Sequence, residues 1–90
     1  MDDDRLQDLY DHVAATAERP VERTASRWLG EAEAIAGDVA HGNIAPEVRR
    51  ERLEKVEHLL GNVDATGDEA ADERVAAAEA ILDELLADDR

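Results

Sequence analysis

Apolar residues recur every three or four positions along this chain and nowhere alternate as a half-buried strand requires, a periodicity that admits helices and little else. The stripe is broadest between Val21 and Ala40, in VERTASRWLGEAEAIAGDVA. At about 100° per residue, Trp28, Val21, Val39, Ile35, Ala32, Ala25, Ala36 and Leu29 fall on one arc, with Arg23, Arg27, Gly30, Ala34 and Gly37 opposite. The chain has no phenylalanine and only Tyr10 as a second aromatic, so Trp28 is its largest apolar side chain. A buried aromatic removes roughly 150–250 Å² from water, and Trp28 reads as the core anchor. The functional reading of the same residue is an exposed hot spot for a partner.

Four such segments follow one another. The first spans residues 3–18, opened by Asp2 to Asp4 with Asp4 and Gln7 spaced as a cap, and Leu6, Leu9, Tyr10, Val13, Ala14 and Ala17 form its face. Pro20 suits a first helical position and pushes Arg19 out of helical dihedrals, so a break at Glu18 to Arg19 and a second helix over 20–41 are expected, with one kinked helix as the alternative. Gly42 is expected to close that helix in the left-handed conformation. Pro46 starts a third helix over 46–62, with Val48, Leu53, Val56, Leu59, Leu60 and Val63 inward and Arg49 and Arg52 interrupting the arc. The DATGD stretch precedes a fourth helix over 68–88, faced by Ala71, Val75, Ala78, Ile81, Leu82, Leu85 and Leu86. Short connections between amphipathic helices predict an all-α fold, a small antiparallel up-down-up-down four-helix bundle occupying residues 1–90 as one domain. Gly30, Ala34 and Gly37 leave room for a second close helix contact; the plainer account of the alanines around them is helix propensity on an exposed face.

Charge sets the medium. Acidic residues number 24 against 10 basic ones, a net charge of -14, yet 43% of the chain is hydrophobic, so the acid coats a folded core rather than marking a disordered tail. Like-charge repulsion on such a surface is relieved at molar salt, where the Debye length is about 3 Å. With no cysteine, disulfides, thiolate catalysis and Cys-based metal sites are excluded. MDDDRLQDLY has neither a basic region nor an apolar run, and no stretch approaches the ~18 apolar residues of a membrane span, so a cytoplasmic protein without membrane partners is expected.

No motif carries chemistry outright. Asp64, Thr66 and Asp68 alternate like the start of a calcium loop, but Glu69 stands where glycine is needed and Val75 where a carboxylate is, so capping by Thr66 with Glu69, or by Asp68 alone, is the better reading. Glu54 and His58 are spaced as one helical pair, but no Glu-x-x-His occurs, so no metal or cofactor is expected. His12 reads as solvated and His41 as a helix-end cation. Ser26, the only serine, has no triad setting. Glu31, Glu33 and Asp38 on the second helix, with Asp72, Glu73 and Glu79 on the fourth, keep open a magnesium-dependent nucleotide pyrophosphohydrolase, the enzyme alternative for this chain.

The distribution of charge says more. Residues 1–18 carry one basic and six acidic groups, 19–55 seven and seven, and 56–90 two and eleven. Pairing of Arg27 with Glu31 and of Glu51 with Lys55 is the bland account of the neutral middle. The sharper account is a docking patch made by Arg49, Arg52, Arg23 and Arg27. Counterion release gives little drive at molar salt, so nucleic acid is not the expected partner. A protein partner, or a second copy in a homodimer, is.

ERPVER from Glu18 to Arg23, RWLGEAEA from Arg27 to Ala34 and VDATGDEAADE from Val63 to Glu73, together with nine arginines to one lysine and the acid excess, resemble small uncharacterised acidic helical proteins of haloarchaea. The resemblance implies a halophilic helical bundle and brings no activity with it. The expectation is a non-catalytic protein-protein interaction or regulatory module.

Overall fold

The computed structural model describes residues 3–87. Its four α-helices are α1 (Asp3–Ala15), α2 (Arg23–His41), α3 (Pro46–Gly61) and α4 (Glu69–Ala87), with a 3₁₀ turn at Thr16–Glu18 after α1. Each helix packs on its neighbours in the chain and α4 returns to pack on α1, so the cross-section is a square with α1 diagonal to α3 and α2 diagonal to α4. Cross-links fix the directions. Gln7 near the start of α1 meets His41 at the end of α2, and Arg5 near the start of α1 pairs with Glu84 near the end of α4. The result is an antiparallel up-down-up-down bundle.

Leucine and valine at helical spacing supply the centre. Leu6, Leu9 and Val13 from α1, Leu53, Val56, Leu59 and Leu60 from α3, and Val75, Ile81, Leu82, Leu85 and Leu86 from α4 are buried together. The contribution of α2 is smaller in volume: Ala25, Leu29, Ala32, Ala36 and Val39. Trp28 is half-buried at the rim of this core rather than its anchor, and Ile35 lies beside it on the same flank. The reason is distance. With alanine at the centre of its buried face α2 comes close to both neighbours, and a Cβ on Gly37 would lie 3.1 Å from Tyr10 Cε1, so the bulkiest side chain is left to the edge.

The helix ends depart from expectation in instructive ways. Thr16 is buried and donates its hydroxyl to the Val13 carbonyl at 2.6 Å, tightening α1 into the 3₁₀ turn before Arg19 becomes extended (φ -103°, ψ 152°). The break before Pro20 is therefore real, but Pro20 does not start α2. Val21 donates to the Arg19 carbonyl at 2.9 Å, a tight turn about Pro20, and Glu22 to the Thr66 carbonyl at 2.7 Å, which keeps residues 20–22 out of the helix and delays it to Arg23. Gly42 is not left-handed (φ -92°, ψ 161°); it is glycine because a Cβ there would lie 2.4 Å from the Asp38 carbonyl oxygen. The left-handed glycine is Gly67, at φ 83°. Asp68 caps α4 as expected, its Oδ2 accepting the Ala71 amide at 3.0 Å. Thr66 answers to Asp72, not Glu69. The predicted contribution of Asp2 to the first cap and the predicted end of the fourth helix at residue 88 lie outside the described residues.

Candidate docking face and the network at its lower end

Because α1 packs on α4 and α2 on α3, the charge blocks of the sequence become sides of a molecule. Asp8, Asp11, Glu73, Asp83 and Glu84 lie exposed on α1 and α4, whereas residues 23–61, which span α2 and α3, carry six basic groups against seven acidic ones. Glu79 on α4 feels the crowding: partial burial and the charges of Asp83 and of Glu57 on α3 push its carboxyl above the ordinary range.

The α2–α3 side also holds the larger apolar groups that the core leaves over. Trp28 and Ile35 on α2, Ile44 in the connection and Val48 on α3 are all half-buried. At the lower end of this seam Trp28 borders an open cleft of about 260 Å³, together with Glu22, Thr24, Asn62 and Asp64. This places the start of α2 beside the end of α3.

That geometry divides the four arginines proposed as one patch. Arg23 and Arg27 lie exposed in the first turns of α2 and do not line the cleft, while Arg49 and Arg52 lie near the start of α3, roughly 20 Å away at 1.5 Å per residue. Arg49 is turned inward. Its stem is half-buried, its Nη2 reaches the Ile44 carbonyl at 3.4 Å, and its buried Nε has no partner, a state shared by the Nε of Arg50. Arg52 is exposed beside the seam. Among the described residues the expected pairs of Arg27 with Glu31 and Glu51 with Lys55 do not close to 4 Å; the ion pairs formed include Arg5 with Asp8 and Glu84, and Arg19 with Asp68. Arg23, Arg27, Arg52 and Lys55 are therefore free to bond elsewhere.

Beneath the cleft runs a polar network that the sequence reading missed. Arg19 binds Asp68 with Nε on Oδ2 at 2.9 Å and Nη2 on Oδ1 at 3.1 Å. This guanidinium, followed by the Ala71 amide, holds the Asp68 carboxyl below its usual range, and the same bond raises the Arg19 guanidinium. Thr66, fully buried, donates its amide to Asp72 Oδ1 at 2.8 Å; its hydroxyl has both Asp72 Oδ1 and the Asp68 carbonyl as acceptors at 2.8 Å. Since Thr66 also receives the Glu22 amide, one residue joins the starts of α2 and α4. The only trace in the sequence was a threonine two residues before a good cap; its partner across the bundle is not encoded locally.

The remaining candidates fall in separate places. Glu54 and His58 are both exposed, and among the described residues no three His, Asp or Glu side chains gather as a metal would need. His41 bonds Gln7 at 2.9 Å and meets the Tyr10 ring edge-on at 4.9 Å, so it ties α2 to α1 as well as ending a helix. His12 is not merely solvated: Arg74, which can only donate, bonds its Nδ1 at 3.1 Å. Glu31 and Asp72, the carboxylates on which a hydrolase site would turn, lie on diagonal helices whose backbones do not approach closely, Glu31 is exposed, and Asp72 is engaged with Thr66.

These features define a small four-helix bundle with one acidic side, one side of balanced charge and a tryptophan-edged cleft. The chain belongs to the family described as domain of unknown function DUF8152, whose model matches residues 5–90. No curated protein matches the chain, and no solved structure does. Among the described residues no helix is long and apolar enough to cross a membrane.

Proposed function

We propose that this chain is a non-catalytic protein-protein interaction module of a halophilic, haloarchaeal cytoplasm, and that it docks through its α2–α3 side. The observation that carries the reading is the half-buried Trp28 at the edge of an open cleft, on the side where arginines stand unpaired and the net charge is near zero. Tryptophan and arginine supply binding energy out of proportion to their number at interfaces, the one through area and the other through bidentate bonds on an apolar stem. The acid-rich α1–α4 side suits hydration at molar salt; partners are held by the other side.

Capture by tagged chain with cross-linking in molar KCl tests this. Arg52→Glu should abolish capture, whereas Glu73→Lys on the acidic side should leave it intact. Equal capture by the two variants would count against docking through the α2–α3 side. Magnesium-dependent release of pyrophosphate from a nucleoside triphosphate, lost in Glu31→Gln, would overturn the non-catalytic reading.

A further inference from the structure

The geometry points to the cleft beside Trp28 as a site for an organic ammonium, a cation whose charge sits on an alkyl body. Glu22, Ala25 and Trp28 from the start of α2 and Asn62, Val63 and Asp64 from the segment after α3 line it, so the wall is part acid and part hydrocarbon. No arginine, lysine or histidine lines it. Among the described residues neither the Glu22 nor the Asp64 carboxylate forms an ion pair or a hydrogen bond, although Glu22 stands at the N-cap of α2, where a side chain commonly bonds the helix amides. Asn62 donates through Nδ2 to the His58 carbonyl at 3.1 Å, which leaves its Oδ1 as a third acceptor.

Such a wall repels an anion, and a neutral apolar molecule would take water from two charges without replacing it. A cation replaces it. A bare metal ion does not suit the place, since among the described residues no three His, Asp or Glu side chains gather as a metal needs. What separates Glu22 and Asp64 from the other acids of the chain is the indole beside them, the aromatic surface on which a cation is held best. An alkyl body also covers Ala25 and Val63, where potassium gains nothing. The cleft is preformed: the Glu22 amide is tied to the Thr66 carbonyl at 2.7 Å, and the Asn62 and Val63 amides to the Leu59 and Leu60 carbonyls at 3.2 and 3.0 Å, so binding orders little. Its volume of about 260 Å³ lies just below the ~300–1,000 Å³ of ordinary small-molecule sites and admits a body of a few carbons. Two sources offer that chemistry, a free small cation and the lysine side chain of a docked partner. Only for the second does the inference rest on the docking reading.

Choline chloride, exchanged for KCl at constant ionic strength so that screening does not change, probes the free cation, and emission from Trp28, the chain's single tryptophan, reports it. A saturable change, half complete at millimolar choline, is expected. The uncharged isostere with tert-butyl in place of trimethylammonium should give none. Glu22→Gln and Asp64→Asn should each weaken the apparent affinity at least about threefold, whereas Glu73→Gln on α4 should leave it unchanged. Helicity by circular dichroism should stay constant, since neither cleft carboxylate has a partner within the bundle. In amide NMR spectra choline should move Thr24 and Ala65, which also line the cleft. Lysine blocked at both its amino and carboxyl ends is the second probe. A response to either supports the site; a response to blocked lysine alone places the ammonium on a partner, and one to choline alone makes it a small molecule. An equal response to the isostere, a response unmoved by both cleft variants, or none to either probe would overturn the site. Docking is judged apart from it: if neither probe binds while Arg52→Glu still abolishes capture, the site falls and docking through the α2–α3 side stands, and choline binding without that discrimination does the reverse.

Discussion

Arg19 holds Asp68 by both carboxylate oxygens, at 2.9 and 3.1 Å, from the far side of a 49-residue separation, and Asp68 uses the same Oδ2 to cap α4. One carboxylate therefore fastens the end of α1 to the start of α4. Its neighbour Thr66 fastens the start of α2 to the same point.

The Asp68 charge should give this fastening a pH dependence. Its native pKa lies below the unfolded value of about 3.9, so the bond contributes stability above that value and loses it as the pH falls through the lower native one. Asp68→Asn keeps a good cap but removes the charge. Thermal melts should show the variant below wild type at neutral pH, with the gap closing in strong acid. A constant gap across the titration would mean that the charge is not what Arg19 contributes.

Glu79 should behave with the opposite sign. Its pKa is raised by burial and by Asp83 and Glu57, so the native state is destabilised when Glu79 ionises and recovers as the pH falls below the unfolded value. Glu79→Gln should raise the melting temperature at pH 7, with about 0.2–0.5 kcal/mol from the Asp83 repulsion alone. The gain should shrink in molar KCl and vanish in acid. A loss of stability at pH 7 in low salt would refute the repulsion.

Trp28 and Leu82 separate rim from core. Leu82→Ala, at a fully buried position, should cost about 2–5 kcal/mol by chemical denaturation. Trp28→Ala should cost less than a buried aromatic, whose loss is about 3–5 kcal/mol. Native Trp28 fluorescence should be accessible to acrylamide. An unquenchable, strongly blue-shifted emission would return Trp28 to the interior.

Two glycine replacements should move stability in opposite directions. Gly67→Ala places an L residue at φ 83° and should cost about 1–2 kcal/mol. Gly30→Ala enters an exposed helix interior where a Cβ meets nothing within 4 Å, and should add about 0.5–1 kcal/mol. Melts of the two variants side by side check both signs; a stabilised Gly67→Ala would contradict the loop geometry.

Helices were legible here because Leu6, Leu9, Leu53, Leu60, Leu82 and Leu86 repeat at a spacing that only a helix can bury together. The wheel of α2 misled because it weights a residue by its own hydrophobicity: it put Trp28 at the centre, where packing against two neighbours at close range admits alanine. Arg49 was legible as a charge inside an apolar arc, but its inward turn to the Ile44 carbonyl depends on the path of the connection. Pro20 was read for the break it makes and over-read for the helix it starts, because the Thr66 carbonyl that captures Glu22 lies 44 residues further along. Local rules place stripes and stops; they do not name the partner across the bundle.

The pairing of Arg5 with Glu84 bears on the order in which the molecule assembles. Neighbouring helices meet across short connections, whereas α1 and α4 meet only when most of the chain has been drawn into a loop, and that closure entropy delays them. These two helices carry ten acidic groups against two basic ones. Their mutual repulsion is then felt after the folding barrier has been crossed, and salt that relieves it acts chiefly on the rate of unfolding. For such a chain the surrounding salt sets how long a folded copy lasts more than how fast one forms.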